Sequence, residues 1–372
     1  MQNEKSNKNL AWQVILLMGL VSLCGDIIYE GARSITGPYL FLLGASAGLV
    51  SLVAGLGEFL GYIFRLPFGY LADRKGTYWF LTILGYSLIM SIPFLAWTKS
   101  WQLAVILVLL ERLGKAMRSP SRDAILSYAT KEIGRGFGFG IHEALDQIGA
   151  VLGPVLVAVV FMLKRSYMYS FSILFVPAIM MLTFLIITKN KVPSPRKLES
   201  ENASVDDSKK LPSIFWFYNL FIFFAVCGSI NFPLLAYHFK VKNVFSDTQI
   251  PLLYALAMLM DGLSSVLTGK IYDRTGMKVL FILPLITIFI PVFSFSQIQI
   301  LAISGIVLLG IVAGIYETAM RAVIADLVSI SKRGFGYGVF NTVYGVGLFF
   351  ASTIMGFLYE RSIIFLILFP FF

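Results

Sequence analysis

Charge is scarce in this chain. Only 13% of its 372 residues are Asp, Glu, Lys or Arg, while 58% are apolar. Soluble domains carry roughly twice that charged share, so a fold surrounded by water is excluded and a lipid bilayer is the natural solvent. Cysteine is almost missing too. Cys24 and Cys227 both lie inside apolar runs and lack ligand spacing, which leaves no basis for a disulfide framework or a metal site. No glycine-rich phosphate loop with a following lysine is present, which argues against direct ATP drive. No nucleophile constellation is visible either, so neither an enzyme nor a cofactor is expected. The first ten residues are polar, and the run after them continues to full span length without a small-residue cleavage site, so no removable signal peptide is expected.

What the chain has in abundance is apolar runs near the length of about 20 residues that a spanning helix needs. They fall at 10–33, 47–71, 78–97, 101–117, 136–162, 167–188, 214–239, 249–271, 277–295, 298–320 and 334–359. A last piece from Ser362 is too short to cross at about 1.5 Å per residue, so the twelfth helix reads as truncated or as stopping half-way. The break at 189–212 differs from the others, being long, charged in both signs and rich in proline. It is expected to link a first half, 1–188, to a second, 213–372. Breaks on the amino-terminal side hold twenty Lys and Arg against six on the other, which puts the amino terminus and the linker in the cytoplasm. The net charge of +10 is thus an orientation signal, and nucleic acid drops out as a partner.

Gly69-Tyr70-Leu71-Ala72-Asp73-Arg74-Lys75-Gly76 returns 200 residues later as Gly269-Lys270-Ile271-Tyr272-Asp273-Arg274-Thr275-Gly276. A second repeat supports the first. Arg135-Gly136-Phe137-Gly138 opens the fifth run as Arg333-Gly334-Phe335-Gly336 opens the eleventh, and Ala116-Met117-Arg118 is matched by Ala319-Met320-Arg321. Two versions of one unit are therefore expected. At this point the chain resembles the major facilitator superfamily, whose loop between helices 2 and 3 carries a G-x-x-x-D-R-x-G signature on the cytoplasmic face. The resemblance implies an all-α integral membrane fold of two six-helix bundles related by a pseudo-two-fold axis around a cavity that opens to either side in turn. It also implies a gating role for Gly69, Asp73, Arg74 and Gly76 and for Gly269, Asp273, Arg274 and Gly276. Gly149, Gly153 and Pro154 resemble the G-x-x-x-G-P motif of exporters in that superfamily.

Ionisable residues inside spans are costly and mark pathways, proton relays or paired struts. Asp26, Glu30 and Arg33 share one face of the first run, where they can pair along the helix. Two carboxylates then compete for one guanidinium, which leaves one free to take a proton. Glu111, Lys115 and Arg118 repeat the spacing in the fourth run beside Arg112, which resembles the buried arginine linked to proton coupling in drug-exporting relatives. Arg118 is expected to snorkel to the surface. His142, Glu143 and Asp146 lie at a similar depth, so an ion network between the fourth and fifth runs is expected. Glu58, seven residues before Arg65, has no evident partner, and Asp261 falls near the midplane. Glu317 and Arg321 are spaced to pair. Asn231, Tyr237 and His238 belong to the seventh run, with His238 at the membrane interface.

The expected activity is proton-coupled movement of a small solute by alternating access, in the direction of efflux, by a monomer in the cell membrane. The protonation candidates are Asp26, Glu30 and Glu58, tuned by Arg33, Arg112 and Lys115; Glu143, Asp146 and Asp261 follow. The alternatives are a proton-coupled importer of an organic ion and, from another class, a membrane sensor on a transporter scaffold.

Overall fold

The computed structural model describes residues 2–130, 135–193, 211–328 and 333–371, and these are helical apart from short turns, with no strand among them. The first half supplies α1 (Gln2–Leu42), α2 (Ala47–Ile63), α3 (Arg65–Lys75), α4 (Tyr78–Ile89), α5 (Trp101–Thr130), α6 (Arg135–Lys164), α7 (Tyr167–Ser172) and α8 (Phe175–Lys191). The second half supplies α9 (Ser213–Cys227), α10 (Phe232–Val241), α11 (Gln249–Thr275), α12 (Ile282–Ser294), α13 (Gln299–Ile315), α14 (Arg321–Leu327), α15 (Arg333–Arg361) and α16 (Ile363–Leu368). Most of the linker, residues 194–210, lies outside the described residues, as do the side chains of Asp73, Arg321 and the openings of α6 and α15 up to Phe137 and Phe335.

Among the described residues, nine helical stretches are long and apolar enough to cross a membrane. One of them, Gln249–Ser294, is 46 residues long and suffices for two crossings. The 30-residue α5 also has the length to cross, although it carries buried charge. The six-residue α16 does not.

Several runs that look continuous in sequence are broken, and proline accounts for some of the breaks. Pro67 has no N–H to give Ile63, and α2 ends there before α3 begins. Pro177 likewise denies a donor to Ile173, between α7 and α8. The expected seventh span, 214–239, is two helices: α9 stops at Cys227, and Asn231 starts α10 by accepting the Leu234 N–H at 2.9 Å, with Pro233 in the first turn. In the tenth span, a π-helical turn at Tyr316–Met320 separates α13 from α14. Both copies of the repeated turn end their helix on a glycine with positive φ, 64° at Gly76 and 58° at Gly276. A side chain disfavours that backbone, which explains the second glycine of each copy.

The helices form two compact units. One contains α1 as far as Ala32 and α3 through α8; the other contains α1 from Arg33, α2 and α9 through α16. Within the second unit, α2 lies along α15 on small residues. Ser51 Oγ donates to the Ser352 carbonyl at 2.6 Å, and a Cβ added at Gly55 would strike Ser352. Asn231 Nδ2 donates to Ser51 Oγ at 2.8 Å and to Ser352 Oγ at 3.2 Å. Small residues let helix backbones approach closely, which is how helices associate where lipid removes the hydrophobic drive. At the end of this seam, the Glu360 carboxylate accepts the Gly48 N–H at 2.8 Å, an anion on the amino terminus of α2.

Candidate functional site

The first unit holds a charge cluster between α1, α4, α5 and α6. Arg118 on α5 is 1% exposed, so the expected snorkel to the surface does not occur. Tyrosines take the place of water around it. Its guanidinium donates to Tyr86 Oη at 3.0 Å and to Tyr29 Oη at 3.4 Å, lies 4.6 Å from the centre of the Tyr86 ring, and sits 3.9 Å from Asp26. Tyr29 in turn donates its hydroxyl to Asp26. Its charge and its two terminal nitrogens are met this way, which is what makes a buried guanidinium tolerable, while its Nε has no hydrogen-bond partner among the described residues.

One helical turn away, Lys115 Nζ lies 3.9 Å from Glu30 and 4.2 Å above the Tyr29 ring. Further along α5, Arg122 reaches Asp146 at 3.5 Å and Asp123 at 2.8 Å, and donates to Ser22 Oγ at 2.9 Å. His142 Nε2 is 3.7 Å from Asp146. Arg112 meets its neighbour Glu111 at 3.3 Å. Of the residues expected to form an ion network between α5 and α6, Asp146 does pair across to α5, but with Arg122 rather than Glu111, Arg112 or Lys115, and His142 lies beside it. Lys115 turns to α1 instead, and Glu143 is exposed on α6. Among these described side chains, five carboxylates (Asp26, Glu30, Glu111, Asp123, Asp146) share four cations (Arg112, Lys115, Arg118, Arg122).

The exporter-like glycines explain why α6 reaches this cluster. Built Cβ atoms at Gly149 and Gly153 would come within 2.5 Å of the Leu23 and Ile27 carbonyls, and the one at Gly149 would also press on Asp26 Cβ at 2.9 Å. α6 therefore crosses α1 at backbone contact beside Asp26. Pro154 continues inside α6 without ending it.

In the second unit, Arg33 pairs with Glu58 at 2.9 Å and donates to Tyr254 Oη at 3.4 Å. Glu58, expected to lack a partner, has one because α2 returns antiparallel beside α1; Arg65, seven residues along α2's own direction, lies beyond the helix break. Asp261 is buried on α11 and accepts from Ser265 Oγ at 3.5 Å. His238 is 1% exposed, its Nδ1 3.0 Å from Tyr359 Oη and its ring against Phe295. Tyr237 packs edge-on against Phe41 at 5.2 Å. Glu317 is exposed on the π turn.

The repeated turns are placed differently from these buried groups. Arg74, Asp273 and Arg274 are exposed. A Cβ added at Gly69 would meet Pro120 at 3.4 Å and one added at Gly269 would meet Thr318 at 3.6 Å, so each copy faces the corresponding helix two crossings on. Sequence reasoning missed Tyr29, Tyr86, Arg122 and Glu360. Tyr29 stands between Asp26 and Glu30, and that adjacency was the available signal; for Tyr86 and Glu360 the partner is remote in sequence.

Membrane-length helices with charged side chains buried between them define a multi-pass membrane protein of the transporter class. More particularly, the chain belongs to the major facilitator superfamily, whose family model matches residues 22–351, and is a secondary transporter. An uncharacterized protein of Mycobacterium tuberculosis is 38% identical over 360 residues, covering 95% of this chain and 88% of that protein. An uncharacterized MFS-type transporter of Methanocaldococcus jannaschii is 29% identical over 376 residues, covering 97% and 92%. Among solved structures, a bacterial homolog of the human lysosomal transporter Spinster, inward-facing and unoccupied, matches with a TM-score of 0.74 at 17% identity, over 95% of this chain and 83% of that one.

Proposed function

We propose that the protein is a proton-coupled exporter of a small solute, with Asp26 as the proton site. The observation that carries this reading is Asp26 itself, a carboxylate 6% exposed on α1 that meets the Arg118 guanidinium at 3.9 Å and the Tyr29 hydroxyl. A proton taken up by Asp26 neutralises that carboxylate and releases Arg118 from it, while the hydroxyls of Tyr29 and Tyr86 continue to hold the guanidinium. Loading and unloading Asp26 then changes the charge balance between α1 and α5, which is the differential interaction that a proton needs in order to shift a conformational equilibrium. Glu30 with Lys115 is a further member of the same relay, and Arg33 with Glu58 is a second candidate pair in the other unit. Export is favoured by the Gly149, Gly153 and Pro154 motif, which sets α6 against α1 beside the proton site. The repeated turns serve as cytoplasmic gates, and the bundles 1–188 and 213–372 alternate around the linker, with the amino terminus cytoplasmic.

The experiment uses proteoliposomes and a solute found by a ligand screen that reads thermal stabilisation. Asp26→Asn is expected to abolish accumulation driven by a pH gradient while solute counterflow persists. Gradient-driven accumulation at the wild-type rate in that variant would rule out Asp26 as the proton site. Counterflow with gradients imposed in each direction separates efflux from uptake.

A further inference from the structure

Two irregularities of the second unit meet at one side chain. α9 and α10 are interrupted at residues 228–231, and the helical ladder widens into a π turn at Tyr316–Met320. Tyr316 joins them, donating its hydroxyl to the Ala225 carbonyl at 2.9 Å and lying 3.3 Å from Ser229 Oγ. Discontinuous helices and π turns are disfavoured inside a bilayer unless the freed backbone groups are met, and they concentrate at binding sites.

Beside Tyr316 is a cleft lined by Tyr62, Tyr316, Glu317, Phe340, Asn341 and Tyr344. Tyr344 stands edge-on to Tyr62 at 5.2 Å and to Tyr316 at 6.1 Å, with the Phe340 ring 5.9 Å away. The π turn brings Glu317 to the rim next to these rings. Four aromatic rings, a carboxylate and an amide line the cleft, and none of its described lining residues is a cation. Ring faces carry negative quadrupole potential, and a carboxylate adds to it. The Glu317 carboxylate repels an anion here, and a neutral solute gains little from it.

We infer that this cleft is the recognition subsite for an organic cation, a substituted ammonium group on an apolar body. The inference deepens the transporter reading and rests on it. As it stands the cleft has room for about one water molecule, so an occupant has to part Tyr344 from its neighbours. Occupancy is therefore tied to movement of α15 against the π turn, the coupling that solute-driven rearrangement requires.

The test is equilibrium binding by calorimetry on the detergent-purified full-length chain, at fixed pH and without a gradient. The probes are tetraethylammonium and, as the anionic counterpart, butanesulfonate. The cation is expected to bind saturably and the anion not at all. Glu317→Gln is expected to weaken cation binding about tenfold or more. Tyr344→Leu is expected to do the same, whereas Tyr344→Phe keeps the ring face and most of the affinity. Absence of tetraethylammonium binding, equal binding of the sulfonate, or affinity unchanged in both Glu317→Gln and Tyr344→Leu would each overturn the inference. Because no proton gradient enters the measurement, its failure leaves the Asp26→Asn test of coupling untouched, and the reverse also holds.

Discussion

Arg118 shows how a single side chain decides the character of the first unit. It is buried against two tyrosine hydroxyls and a carboxylate, so its removal takes from the buried Asp26 the guanidinium 3.9 Å away. Breaking one member of such a pair costs about 3–5 kcal/mol, whereas replacing both members with apolar or neutral groups is far less damaging. Arg118→Met is thus expected to lower the detergent melting temperature sharply, and Asp26→Asn with Arg118→Met to recover part of the loss; additive losses in the double variant would count against the pairing. The sequence placed Asp26, Glu30, Lys115 and Arg118 as charged positions on two helix faces, but not which faces meet. Snorkelling was the natural expectation for Arg118 because it sits near the end of an apolar run. What keeps it inside is Tyr86, whose position on α4 becomes relevant only once α4 and α5 are packed. Glu58 illustrates the same limit, since its partner Arg33 is 25 residues away on the preceding helix.

At the scale of helices, the sequence was legible wherever the signal was local. The proline-poor apolar runs became helices, and the paired glycines of the repeated turns end them at positive φ. Breaks inside runs were harder to see, because a proline shortens a helix only if its neighbours do not rescue the freed carbonyl. Pro154 and Pro120 stay within helices, while Pro67 and Pro177 follow interruptions. The crossing of α6 over α1 gives an element-level prediction. Gly149 has no room for a side chain between the Leu23 carbonyl and Asp26 Cβ, so Gly149→Val has to push the two helices apart. Overpacking of this kind costs about 1–3 kcal/mol. The expected outcome is a destabilised protein with impaired gradient-driven transport, checked by melting in detergent and by proteoliposome flux; unchanged stability would contradict the close crossing.

For the molecule as a whole, the internal duplication was evident from sequence, and the grouping of the helices was not. The segment from Arg33 through Ile63 belongs to the first half of the chain yet packs with helices of the second half. The residues that achieve this, Gly48, Ser51 and Gly55 facing Ser352, Gly356 and Glu360, look like ordinary span filling until the two helices are laid together. In the reading proposed above, with residues 1–188 moving against 213–372, this seam parts in every cycle. Ser51→Cys with Ser352→Cys, whose side chains both reach Asn231 in the native protein, is accordingly expected to halt transport on oxidation and to restore it on reduction. Flux that continues in the oxidised, cross-linked protein would show that the seam stays shut throughout.

The chemistry of that seam carries one more implication. Hydroxyls, amides, carbonyls and glycine backbones join α2 to α15, and Glu360 works on the dipole of a helix end rather than on a lysine or arginine. Dissolved electrolyte screens exposed charge, so it reaches Glu360 at the end of the seam and has little hold on the hydroxyl, amide and glycine contacts along the rest. A cell moving from fresh water to brine would find this door altered at one edge and unchanged along its length.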